Sequence, residues 1–303
     1  MDFFWKKQLS GRKFNLNNFR NTKKHNIFAN WSPYQRGLTF HNFLINYYVN
    51  QNKLPFIKFK KNLNNLNIGN PPHIFFNEKY YISYDDCLSF EEIFFLKKHL
   101  KIKKKNIKII EIGPGYGRTV ESVLKNFNVN QYFCVDYKNI LTLTKQYLKK
   151  VLKKKLFNKI IFCEFEKFNF EKNFFTNSYN VGKFDLLINS DSFHEIEPNV
   201  IKKYLNFFNP ICDNFFIKNA IAKYKPQDLI NHSSKKNVPK YNKKLGLCFE
   251  TINIFDIKES KIQSQRFLKR YNPFKHKKNT KVYNKLSEIF PSCMLALFVK
   301  NNK

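Results

Sequence analysis

Arginine is scarce in this sequence. Of 55 basic residues only six are Arg (Arg12, Arg20, Arg36, Arg118, Arg266 and Arg270), and the rest are Lys. Bidentate recognition of guanine or phosphate favours the Arg fork. The formal net charge of +33 therefore does not by itself mark a nucleic-acid binder. Lys, Asn, Phe and Ile are abundant together, as an AT-rich coding sequence would make them, and that bias accounts for the charge without a function. A general pull toward anionic partners survives either way. Paired cysteines are missing too. Cys87, Cys134, Cys163, Cys212, Cys248 and Cys293 form no CxxC and no zinc-type spacing, the usage of a reducing, cytoplasmic compartment. Nothing approaches the ~18 consecutive apolar residues of a membrane span. The opening MDFFWKKQLSGRKF lacks the apolar stretch of a secretory signal. A soluble chain is expected, with membrane-surface binding through Lys and aromatics left open.

What is present suffices for a core. The chain has 303 residues, 43% of them hydrophobic, with 35 Phe and 16 Tyr, which suits one large domain or a catalytic domain with an accessory segment. Residues 1–68 show no strand alternation. Tyr34 to Asn50 is loosely helical, and Asn62 to Pro72 reads as a loop. Ser83 to Leu100 predicts a helix, acidic early and basic late, with Leu88, Ile93, Leu96 and Leu100 as its buried stripe. From residue 107 the pattern changes. Strand-like runs at 107–113, 131–136, 159–165, 184–190 and 214–221 are interleaved with helical stretches at Arg118–Phe127, Ile140–Lys154 and Pro198–Phe208. After a Lys-rich insertion (225–248), the runs 249–255 and 293–299 are expected to close the sheet. The alternation predicts an α/β fold: a Rossmann-like sheet of seven strands flanked by helices over 106–303, behind a mainly helical accessory segment, a cap, over 1–105. Such sheets bind ligands beyond the carboxyl ends of their strands, where strand order reverses.

The decisive segment is Glu111-Ile-Gly113-Pro114-Gly115-Tyr116-Gly117, placed between a strand and a helix. Glycines let backbone approach a ligand closely, and the helix N–H groups face a polar or anionic group. The next predicted strand ends in Asp136, an acid suited to accept from both hydroxyls of a ribose. No G-K-[ST] follows, which excludes a Walker-type phosphate loop, and the spacing is not the G-x-G-x-x-G of dinucleotide enzymes. The E-x-G-x-G-x-G form resembles the cofactor loop of class I methyltransferases, whose cofactor is S-adenosyl-L-methionine. That resemblance implies that Gly113, Gly115 and Gly117 meet the methionine part, Asp136 the ribose and Tyr137 the adenine, with Glu164 or Glu166 beside the adenine amino group. The cofactor-facing set also takes in Glu111, Pro114, Tyr116, Asn189 and Ser190.

The fourth strand ends in Asn189-Ser190-Asp191-Ser192-Phe193-His194-Glu195. A sugar hydroxyl is a poor nucleophile until its proton is removed, and a His, Asp or Glu within reach supplies the base. His194 is the natural candidate, with Asp191 or Glu195 orienting it or binding a substrate hydroxyl. Two other readings stay open. Asp191 or Ser192 caps the following helix, with His194 and Glu195 on its solvated first turn; or Asp191, His194 and Glu195 offer O/N ligands to a metal, which nothing in the spacing demands. Methyltransferases that act on exocyclic amines carry N-P-P-Y or D-P-P-Y here; this chain has N-S-D-S.

Over residues 69–224 the chain resembles a bacterial sugar O-methyltransferase family. The likeness runs from Gly69-Asn70-Pro71 through EIGPGYGRT, is sharpest at INSDSFHEI (188–196), and continues through Tyr204 to FFIKNAI with Asn219. It implies methyl transfer to a hydroxyl of a sugar or glycan precursor. An RNA methyltransferase, in which aromatics stack on bases, and a non-catalytic cofactor-binding module are the alternatives.

Overall fold

The computed structural model describes residues 14–20, 39–63, 68–71, 73–77, 80–102, 106–171, 173–224, 244–253, 256–274, 280–290 and 292–300. Two helices come first, α1 (Thr39–Gln51) and α2 (Lys53–Asn62), then a hairpin, β1 (His73–Asn77) and β2 (Tyr80–Ser83). The expected helix follows as α3 (Tyr84–His99). Its start is fixed by a capping box: Ser83 Oγ accepts from Asp86 N, and the Asp86 carboxylate accepts from Ser83 N.

The Rossmann-like sheet follows. Its elements in chain order are β3 (Ile107–Ile112), α4 (Arg118–Asn126), β4 (Val129–Asp136), α5 (Lys138–Val151), α6 (Lys154–Phe157), β5 (Ile160–Glu164), α7 (Phe174–Tyr179), β6 (Leu186–Ser190), α8 (Pro198–Phe208), β7 (Asn214–Ala220), β8 (Lys223–Tyr224), β9 (Thr251–Ile252), α9 (Ile257–Tyr271), β10 (Thr280–Leu286) and β11 (Cys293–Lys300). The seven strands lie in the order β10-β11-β7-β6-β3-β4-β5. The β3 to β7 strands are parallel, and β11 runs antiparallel to both neighbours. The chain moves outward from β3 to β5, then restarts on the other side with β6 and β7, so the order reverses between β3 and β6. That is where such sheets bind ligands. The central strands are buried on both faces, as their near-continuous apolar runs require.

One face of the sheet is covered by α3, α4 and α5 together with Phe19, Ile45, Tyr48, Phe56 and Phe59 from the N-terminal part, in one continuous core. The other face packs against α7, α8 and α9 through a dense aromatic set around Phe133, Phe175, Phe184 and Phe208.

The expectation for 249–255 needs correction. Among the described residues of that run only β9 is a strand, and it pairs with β8 in a separate two-stranded ladder. The seventh strand is β10, which the sequence hides because Lys281 and Lys285 break its apolar pattern. Lysines of this kind suit an edge strand, where they discourage pairing with another chain. The helix α9 is also absent from the sequence reading; Asp256 caps it by accepting from Lys258 N and Glu259 N. The Lys-rich run 225–243 lies outside the described residues. Among the described residues no helix is long and apolar enough to cross a membrane.

Candidate active site

The glycine loop leaves β3 in left-handed backbone. Gly113 has φ +73° and Gly117 φ +102°, angles that side chains resist. Gly113 also has no room: a Cβ there would penetrate Ser192, which follows β6. The Ser192 hydroxyl donates to Ile112 O at 3.0 Å, so the turns after β3 and β6 lie against each other. Gly115 is held on its other side, where the Thr144 hydroxyl of α5 donates to its carbonyl at 2.5 Å.

Asp136 sits at the end of β4, beside this loop. Its carboxylate accepts from Gly115 N at 3.2 Å and Tyr137 N at 2.8 Å. Burial pushes the Asp136 carboxyl up to about 7; the two N–H donors offset part of that rise, and the nearby carboxylates Glu166 and Glu195 add to it. Asp136 at the end of β4 is therefore influenced by acids in the turns that follow β5 and β6. The Tyr137 ring meets Phe165 edge-on at 5.2 Å. Glu164 stands beside Asp136 in the ladder and pairs with Lys167 at 3.0 Å, while Glu166 accepts from Lys138 N at 3.5 Å.

Asn189, buried at the end of β6, is committed to structure. Its amide donates to Ile112 O at 2.8 Å and to Ser192 Oγ, and its carbonyl accepts from Phe193 N and Asn219 Nδ2. It thereby ties β3, β6 and β7 together at their carboxyl ends. Asp191 stands in left-handed backbone, φ +62°, with its side chain 35% exposed. His194 lies in a short 3-10 turn, Phe193–Glu195, not on a helix. Ser192 caps nothing there; its hydroxyl is engaged with Ile112 and Asn189. His194 Nδ1 is 3.3 Å from Asn219 Oδ1, and Nε2 is 3.6 Å from Glu195 Oε1. The Lys223 ammonium donates to His194 O at 3.2 Å, and burial pulls it down to about 8 against the attraction of Glu195.

Two residues of the expected cofactor set make their polar contacts with other side chains. Glu111 is buried and accepts from the Tyr132 hydroxyl at 2.7 Å; burial pushes its carboxyl up to about 8 despite that bond. Tyr116 turns toward the N-terminal part, where its hydroxyl donates to Asp85 at 2.8 Å.

The sequence reading misses a buried charge network under Asp191. Glu92 of α3 takes both prongs of Arg118, at 3.0 and 2.9 Å, the Ser190 hydroxyl at 2.7 Å and the Lys218 ammonium at 3.0 Å. Lys218, 1% exposed, also reaches Asp191 at 2.9 Å. Burial alone would raise the Glu92 carboxyl, but Arg118 and Lys218 hold it down at about 2. Two cations and two anions balance. The only sequence signals were a lysine inside the apolar run FFIKNAI and a glutamate on the apolar side of α3. Among the described residues no three His, Cys, Asp or Glu side chains gather into a metal-binding group.

No protein-family model and no curated protein matches the chain. Solved structures do. The mitomycin 7-O-methyltransferase MmcR is 10% identical with a TM-score of 0.42, over 72% of this chain and 56% of that one. The methyltransferase domain of bacterial CtHen1 is 14% identical with a TM-score of 0.44, over 70% of this chain and 99% of that one. The plantazolicin methyltransferase BamL, solved with a triazolic desmethylPZN analog and SAH, is 10% identical with a TM-score of 0.45, over 87% of this chain and 96% of that one. This chain thus spans little more than half the length of MmcR. The strand order and directions by themselves make it an α/β protein with a Rossmann-like seven-stranded sheet.

Proposed function

We propose that this chain binds S-adenosylmethionine at the carboxyl ends of β3 and β4 and transfers its methyl group to a hydroxyl of a sugar or glycan precursor. The observation that carries the reading is Asp136, set beside a glycine loop at the point where strand order reverses. The residues fit the cofactor. The left-handed glycines Gly113, Gly115 and Gly117 turn the loop backbone at the end of β3, beside Asp136, and Asp136 accepts from the ribose diol. Glu166 and Glu195, which act on Asp136 electrostatically, favour a ligand carrying positive charge. The cofactor supplies an electrophilic methyl on a sulfonium.

The chain's own residues then have distinct work. An Nδ1–H donated to Asn219 Oδ1 leaves His194 Nε2 free to take the acceptor's proton, with Glu195 placed to stabilise the imidazolium. Asp191 is neutralised by Lys218 and serves as a hydrogen-bond acceptor for substrate. The segment 1–105 serves in this reading as an accessory or cap segment to the catalytic part, 106–303. Glu166 and Glu195, which act on Asp136, disfavour a polyanion such as RNA at this edge.

The test is a mass-shift assay of labelled methyl transfer to nucleotide sugars, surface glycans and RNA. Transfer to a sugar, indifferent to salt, supports the reading. Transfer to RNA alone, falling steeply with ionic strength, replaces it. Cofactor binding without transfer to any acceptor leaves a binding module. His194→Ala is expected to slow transfer by about 10²- to 10⁴-fold with cofactor affinity nearly unchanged; wild-type turnover in that variant assigns the base elsewhere.

A further inference from the structure

We propose that Arg20 and Asp85 are positioning residues for the cofactor, acting through Tyr116 of the glycine loop. This rests on the cofactor reading above. Arg20 lies 2% exposed, far from α3 in sequence. Its Nε donates to Asp85 Oδ2 at 2.9 Å, and its Nη2 lies 2.6 Å from the same oxygen. The Tyr116 hydroxyl donates to that oxygen too, at 2.8 Å. One carboxylate oxygen therefore gathers an N-terminal guanidinium and the centre of the cofactor loop. The Arg20 guanidinium also lies over the Tyr116 ring, 5.2 Å from its centroid, a further attraction.

Backbone contacts anchor the arrangement. Arg20 N donates to Gly69 O at 2.8 Å. Phe19 fills the space where a Gly69 Cβ would sit and meets the Tyr116 ring edge-on at 5.1 Å. Tyr147 of α5 closes the far side of Tyr116 at 5.0 Å, its hydroxyl held by Glu121 at 2.6 Å. Tyr116 is thus gripped from the N-terminal part and from the helix α5 at once. Its immediate neighbour Gly115 donates to Asp136. A shift of the Tyr116 ring is passed through one peptide to the proposed ribose ligand. Small displacements in a binding loop have large effects, and coupling between the segment and the cofactor is reciprocal.

The expected effect is on cofactor binding and not on chemistry. Asp85→Asn keeps the shape of the side chain and removes its charge; Arg20→Lys keeps the charge and removes the fork. In the full chain, each variant is expected to raise the Kd for S-adenosylhomocysteine, and the KM for S-adenosylmethionine, about tenfold. The kcat at saturating cofactor should stay within about threefold. Affinities are measured well below the Tm of each variant, with matching far-ultraviolet circular dichroism. A lowered Tm with unchanged Kd in both variants overturns the proposal, because the contacts would then serve folding alone. Failure of the wild type to bind S-adenosylhomocysteine would instead remove the cofactor reading itself, and this inference with it.

Discussion

Replacing Asp136 by Asn should move stability and ligand affinity in opposite directions, with a pH signature. The folded carboxyl is pushed up to about 7 by burial, against about 3.9 in an unfolded chain. Between these values the unfolded chain binds fewer protons than the folded one. Stability therefore falls as pH rises through this window, by at most about 1.4 kcal/mol per pH unit. Three units give an upper bound of about 4 kcal/mol; residual solvent contact at Asp136 screens this to about 2 kcal/mol. Asn removes that penalty. It also loses one of two backbone N–H partners, Gly115 or Tyr137, at about 1 kcal/mol. The ligand-free variant should be about 1 kcal/mol less stable than wild type at pH 4 and about 1 kcal/mol more stable at pH 8, a Tm difference of about 2–4 °C that changes sign. Affinity for S-adenosylhomocysteine should fall about 30- to 150-fold at pH 8, from about 2–3 kcal/mol of charge-assisted bonding to the ribose. Wild-type affinity should weaken as pH drops below about 7, and the variant's should not. Thermal melts and titration calorimetry across pH 4–8 decide it. A Tm difference independent of pH would refute the electrostatic argument, and unchanged affinity would remove the ribose assignment.

Glu111→Gln should leave the Tm at pH 8 equal or higher, because the buried carboxyl is already held near 8 and Gln still accepts from Tyr132; a large loss of stability would show that an ionised Glu111 is required. Glu92→Gln leaves the buried Arg118 and Lys218 with Asp191 as their one shared anion and should cost about 3–5 kcal/mol near neutral pH. With the wild-type carboxyl held near 2, its stabilisation is present above about pH 4.3 and fades as pH falls toward 2, so denaturant curves of the two proteins should converge there. Gly113→Ala combines left-handed backbone with a clash on Ser192 and should cost about 3 kcal/mol. Adding Ser192→Gly should recover about 1–2 kcal/mol of it, a non-additivity that a double-mutant cycle measures.

The strand, glycine loop and helix spanning 107–126 were legible because local signals agree there: an apolar run, residues that permit left-handed backbone, and amphipathic periodicity. The helix α3 was legible from its charge order, while the Ser83 cap that fixes its start emerged only in the structure. What the sequence hides is long-range. Lys218 inside an apolar strand makes sense only beside Glu92 and Asp191, and sheet register, which sets Ser190 against Lys218, creates that proximity. Arg20 gave no local signal because its partner is 65 positions away. Tyr116 and Glu111 sit within a cofactor-type motif, yet Asp85 and Tyr132 take their polar ends. The β10 strand escaped notice because edge strands carry polar residues on purpose.

The most direct measurement is a crystal structure of the full chain with S-adenosylhomocysteine. The account predicts the ribose hydroxyls on the Asp136 carboxylate and the amino-acid tail against residues 113–117. An adenosyl group bound elsewhere, or that crevice filled by the protein's own side chains, would contradict it.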